Sequence, residues 1–135
     1  MGKWGSSVLS DRIQYWRKRQ AQQKAQNQRM VLQARSQLVE IVNVLVEKFN
    51  VTKVIVFGSL VKDKFTAESD IDIAVEGIRK QDFFTALSAV NRLTDRWVDL
   101  KPIEDLEPHF RQRVLETGEC IYEADFSKSS SGTDH

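Results

Sequence analysis

Gly58-Ser59 stands ten residues before Asp70-Ile71-Asp72, directly after the apolar run Val54-Ile55-Val56-Phe57. A glycine at the end of a strand lets an anion approach the main chain closely. The Ser59 hydroxyl and the neighbouring backbone N–H groups can then donate to phosphate oxygens. Strand side chains alternate faces, so Asp70 and Asp72 share one side while Ile71, Ile73 and Val75 share the other. Two carboxylates side by side repel each other unless a cation lies between them. Mg²⁺ suits such a pair, since it takes one or two carboxylates and completes its shell with water and phosphate oxygens. The pattern points to metal-dependent phosphoryl-group chemistry.

A third acid joins them. Asp99 lies in the alternating stretch Arg96-Trp97-Val98-Asp99-Leu100-Lys101-Pro102, where a purely structural strand favours β-branched or aromatic residues. If this strand lies beside that of Asp72, three carboxylates share a face. They can then hold two Mg²⁺ ions on the order of 4 Å apart, or Asp99 can serve as general base toward an attacking hydroxyl. The bland alternative is that Asp99 pairs with Lys101 or Arg96 on an ordinary charged face.

The elements that must position these residues follow from periodicity. From about Asp11 to Phe49 there is no Pro or Gly, and good helix formers dominate. Val31, Ala34, Leu38, Ile41, Val42, Leu45, Val46 and Phe49 form a helical stripe that should dock on the sheet. The expected order then runs strand 53–57, a turn with a short helix 59–64, strand 70–75 and helix 81–94. Strand 96–102, helix 108–117 capped by Gly118, and a terminal strand 120–122 complete it. The expected fold is α+β: a small mixed sheet, acids on an open face, helices packed on the other, and a long N-terminal helix. Residues 31–126 should form the domain, 1–30 a basic helical extension and 127–135 a polar tail.

Composition narrows the class. With 41% hydrophobic and 29% charged residues, the chain reads as an ordinary water-soluble domain, and no apolar run is long enough to span a bilayer. A single cysteine, Cys120, excludes an internal disulfide and suits a cytoplasmic setting. Cys120 reads as a buried residue of the last strand, and with His109 and His135 it forms no zinc-like cluster. The net charge of +1 hides an asymmetry. Residues 1–30 hold seven basic residues and one acid, against 13 basic and 18 acidic in the remainder. Such an arm can contact nucleic acid, an acidic partner, or nothing.

Gly58-Ser59, ten residues, Asp70-Ile71-Asp72 and the later Asp99 resemble the minimal nucleotidyltransferases of the DNA polymerase beta superfamily. Compactness favours the antitoxins that are paired with HEPN-domain ribonuclease toxins. The resemblance implies transfer of AMP from ATP to a hydroxyl, a tyrosine of the HEPN toxin. It places Asp70 and Asp72 on Mg²⁺-nucleotide, Asp99 as third ligand or base, and Gly58 and Ser59 on the triphosphate, with Lys62 and Ser69 beside them. Two other readings stay open: a non-catalytic antitoxin that acts by binding, and a small-molecule nucleotidyltransferase completed by a partner subunit. The chain departs from the usual pattern where Asp63 stands in place of a second glycine, and where Lys62 and Lys64 stand in place of arginine. Lysine neutralises phosphate without arginine's bidentate fork.

Overall fold

The computed structural model describes residues 2–62 and 64–124, with side chains from Ser10 onward. Asp63 and the polar tail lie outside the described residues. Helix α1 spans Gly2–Phe49, about 72 Å at 1.5 Å per residue. Strand β1 (Lys53–Phe57) leads through a single 3₁₀ turn at Gly58–Leu60 to β2 (Ile71–Glu76). Helix α2 (Phe83–Asn91), strand β3 (Val98–Pro102), helix α3 (Pro108–Thr117) and strand β4 (Glu119–Glu123) follow.

The sheet order is β3-β2-β1-β4. β1 pairs antiparallel with β2 and with β4, whereas β2 and β3 run parallel across the α2 crossover. The mixed α+β architecture is thus the expected one. One face of the sheet presents Val54, Val56, Ile71, Ile73, Val75, Val98 and Leu100, packed under α1 and α2. The stripe on α1 docks there as expected, with Ala34, Leu38, Ile41 and Leu45 fully or almost fully buried. Each of the three larger side chains contributes roughly 1.5–3 kcal/mol of apolar burial.

The opposite face, which carries the acids, is only half open. Ile55 and Ala74 on that side form a second cluster with Ile103, Leu106 and Val114, flanked by Phe57 and Phe110. Helix α3 therefore covers the lower part of the acid face. The physical reason lies in the run Val54-Ile55-Val56, buried at every position: a strand covered on both sides has no polar alternation. Pro108 opens α3 and the Glu107 carboxylate caps it, accepting from the N–H groups of His109 (3.2 Å) and Phe110 (3.1 Å).

Some local expectations shift. The segment after Ser59 makes a 3₁₀ turn rather than a short α-helix, and α2 ends at Asn91. Gly118 does cap α3, but with extended backbone at φ −76° and not in a left-handed turn. Its need for glycine is steric, because a Cβ there would lie 2.5 Å from the Val114 carbonyl oxygen and 2.6 Å from Ile55. Cys120 is exposed rather than buried. A register shift between Val54 and Ile55 sets β4 out of strict alternation, so Ile121 and Tyr122, not Cys120, pack on the core.

Candidate active site

Parallel pairing of β2 with β3 sets Asp72 directly opposite Asp99. Antiparallel pairing of β2 with β1 sets Asp72 opposite Phe57 on its other side. Gly58, next after Phe57, thus begins its turn against the Asp72 carboxylate. Gly58 has φ +77°, and a Cβ there would collide with Asp72 Oδ2 and lie 3.1 Å from its Cγ. Both the left-handed backbone and the missing side chain are required at that point. The turn is closed by the N–H groups of Val61 and Lys62 on the Gly58 carbonyl (3.2 and 3.1 Å), and by Lys64 N–H on the Ser59 carbonyl (3.1 Å).

Electrostatics mark Asp72 as the strained member. Burial, followed by the charges of Asp99 and Asp70, pushes its carboxyl up to about 6 against the opposing pull of Lys101. Asp99 accepts from Lys101 Nζ at 2.7 Å. The pairing held out as the bland alternative is therefore present, and it coexists with the acid cluster because both residues share the Asp72 face. Asp70 sits one residue before β2 rather than within it, and it is exposed. Its position is held by the Ile71 N–H, which donates to the Trp97 carbonyl (2.9 Å) and opens the parallel ladder.

Ser59 is half-buried in the turn, and Lys62 is exposed just beyond it. Ser69 is engaged elsewhere: its hydroxyl accepts from the Thr66 N–H at 2.9 Å and contacts the Thr66 hydroxyl at 3.2 Å. Ser69 thus shapes the loop that delivers Asp70. His109 is exposed on α3, and Trp97 precedes β3 with about half of its surface exposed.

Two further residues position this site: Asn91, which sequence reasoning passed over, and Arg96, which it weighed only as a partner of Asp99 and which bonds the preceding loop instead. The Arg96 guanidinium donates to the carbonyls of Thr66 (2.9 Å), Ala67 (3.2 Å) and Ser69 (2.9 Å). It also lies 4.3 Å from the centre of the buried Phe65 ring. One arginine therefore organises the whole loop before Asp70. The Asn91 side chain, at the end of α2, accepts from the Val98 N–H (2.7 Å) and donates to the carbonyls of Val98 (3.1 Å) and Leu87 (2.9 Å). This clamp fixes the start of β3, one residue before Asp99. An asparagine closing an apolar helix was the available signal, since its amide can serve backbone groups beyond the helix end.

Among the described residues, no group of three or more His, Cys, Asp or Glu side chains stands close enough to form a ready metal cage. The donor set nevertheless fits a hard divalent cation. Its donors are carboxylate oxygens, and the like-charge strain on Asp72 is relieved by a positive ion. Magnesium that arrives with a nucleotide needs only one or two protein carboxylates, the phosphates supplying further ligands.

The family model "Polymerase beta, Nucleotidyltransferase" matches residues 39–127. The chain belongs to that family. It is a nucleotidyltransferase domain, as the resemblance carried by Gly58-Ser59 and Asp70-Ile71-Asp72 implied. No curated protein matches the sequence at a significant level. Several solved structures share the fold. One is a toxin–antitoxin complex with AMP-PNP, 18% identical, with TM-score 0.55 over 70% of this chain and 77% of that one. Another is described as a minimal nucleotidyltransferase, 24% identical, with TM-score 0.57 over 67% and 93% of the two chains. A third is a variant of the toxin–antitoxin pair MntA–HpeT, 19% identical, with TM-score 0.53 over 70% and 76%. At these identities the likeness establishes the fold. Among the described residues, no helix of this nucleotidyltransferase is long and apolar enough to cross a membrane.

Proposed function

We propose that this chain transfers AMP from ATP to a hydroxyl of a partner protein, a tyrosine of a HEPN-domain toxin, and thereby acts as the antitoxin of the pair. The observation that carries the reading is the alignment of Asp72 with Asp99 across β2 and β3, with Gly58 turning against Asp72. Structural likeness to the toxin–antitoxin complexes supports the choice of partner class.

Asp70 and Asp72 would hold Mg²⁺, with Asp99 as a further ligand or as base. When bound, the ion supplies charge neutralisation for the phosphates and for the transition state. The Gly58-Ser59 turn receives the triphosphate, its Ser59 hydroxyl donating to a phosphate oxygen, while the Asp72 carboxylate fills the space that Gly58 leaves. Lys62 adds positive charge at the rim. The acceptor oxygen attacks the α-phosphorus, its proton passes to Asp99, and the bond from the α-phosphorus to the bridging oxygen breaks. Pyrophosphate leaves with the electron pair of that bond. Lys101, hydrogen-bonded to Asp99, orients the carboxylate during this transfer.

Incubation with ATP labelled in the α-phosphate, Mg²⁺ and the co-expressed HEPN-domain protein tests the reading. Label on that protein, lost in Asp70→Asn and Asp72→Asn, is the expected outcome. A tight complex without label, unchanged by either substitution, would establish the binding antitoxin instead. Label recovered only on a small molecule would overturn the protein acceptor.

A further inference from the structure

The arm of α1 carries a pattern that the site does not use. Ile13, Trp16, Gln20, Gln23, Asn27, Met30 and Ala34 recur at alternating intervals of three and four residues, the a and d positions of a heptad. This seam runs into the stripe that docks on the sheet, where Ala34 is fully buried. Met30 packs partly against the same core, and ahead of it the two apolar seam residues are open: Trp16 is 57% and Ile13 49% exposed. The positions flanking such a seam set partner choice through charge. Here Arg12, Arg17, Arg19 and Lys24 occupy them between residues 12 and 26, Gln26 is neutral, and none is acidic. The single acid of the arm, Asp11, falls on the far side.

Two copies of this arm, paired in parallel or antiparallel, would set base against base along the seam. We propose that the arm is one strand of a heteromeric helix pair, and that its partner is an acidic amphipathic helix of the acceptor protein. Ile13 and Trp16 supply the apolar contacts, while Gln20, Gln23 and Asn27 impose register by requiring polar partners. A phosphate backbone would satisfy the four bases but would leave Ile13 and Trp16 unburied.

The location suits recruitment. A groove of 750 Å³ runs along the seam from Trp16 to Val31, with Phe65 on its other wall. A second hollow joins Asn27 and Met30 to Thr66 and Glu68. A third, of 380 Å³, joins Gln37 to Asp70 and Trp97. A helix laid on the arm therefore abuts the loop that Arg96 organises and that ends at Asp70. The inference rests on the reading that the acceptor is a protein, yet its test needs no nucleotide and stands apart from catalysis.

The full chain is titrated with two synthetic 21-residue helical peptides that share an a/d seam, apolar except for three central Asn residues to meet Gln20, Gln23 and Asn27. One peptide carries Glu, the other Lys, at every flanking position. The expected result is that the acidic peptide binds at least about tenfold more tightly, the effect of several flanking charge pairs acting together. This preference should shrink in high salt. Reversing the four flanking bases (R12E, R17E, R19E and K24E) should invert the preference while circular dichroism and melting remain those of a folded chain. Equal binding of the two peptides, binding of neither, concentration-dependent pairing of the chain with itself through the arm, or displacement of the acidic peptide by a short RNA or DNA duplex would each overturn the proposal. In any of those cases the labelling experiment on Asp70 and Asp72 keeps its meaning.

Discussion

Asp72 on β2 and Asp99 on β3 are register partners in a parallel pair, so two like charges meet side by side on one face of the sheet. No isolated fold gains stability from that arrangement. The proposed metal-bound nucleotide would relieve that repulsion.

Asp72→Asn should abolish transfer and make the metal-free protein more stable at pH 7.5. The carboxyl of Asp72 is raised in the folded state to about 6, whereas in the unfolded chain it ionises near ~3.9. The folded state is therefore unpenalised below the unfolded value and loses stability as pH rises from there through about 6. Melting curves of the two proteins without metal should diverge across that window, the wild type falling behind. Parallel curves would argue that Asp72 is not strained.

Gly58→Ala should both destabilise the fold and stop the reaction. The substitution imposes a left-handed conformation on an L-residue and drives a Cβ into the Asp72 carboxylate. We expect a loss of about 1–3 kcal/mol by denaturant unfolding. A double variant, Gly58→Ala with Asp72→Ala, should recover part of that loss, because only the collision is relieved.

Arg96→Ala should loosen the loop at Thr66–Ser69 while sparing the sheet. Three carbonyls and the Phe65 face lose their cation at once. Amide exchange should accelerate at residues 66–70, and activity should fall more than global stability. Arg96→Lys should recover only part, since an ammonium cannot present the planar fork.

Asn91→Ala leaves the Val98 N–H without its partner. The expected cost is about 1–3 kcal/mol. If the clamp sets β3 alongside Asp72, the affinity for Mg²⁺-ATP should fall as well, measurable by calorimetry. Asn91→Asp keeps the acceptor but loses the donor to Val98 and Leu87, and should lie between.

Glu119→Gln serves as the contrasting case. Arg35 grips Glu119 through two hydrogen bonds of 2.7 and 3.0 Å, and its guanidinium holds that carboxyl below the usual carboxylate range. Stability from this pair is present above the unfolded carboxylate value and is lost as pH falls through the lowered one. Both side chains are substantially exposed, so the substitution should cost no more than about 1 kcal/mol and leave transfer unchanged.

The candidate site residues were legible in the sequence because their signals are local. Alternation alone placed Asp72 and Asp99 on strands and set the apolar residues between them on the opposite face. The Gly-Ser turn followed from its place after an apolar run, and α1 announced its buried stripe through 3.6-residue spacing. What depended on contacts between distant segments could not be read the same way. The half-cover of the acid face by α3, the exposure of Cys120 on a strand thrown out of alternation, and the grips of Arg96 and Asn91 on the two ends of the site all arise from how separate elements pack on one another. Periodicity constrains one element at a time. Which strand lies beside Asp72, and what holds it there, was decided only when the chain closed on itself.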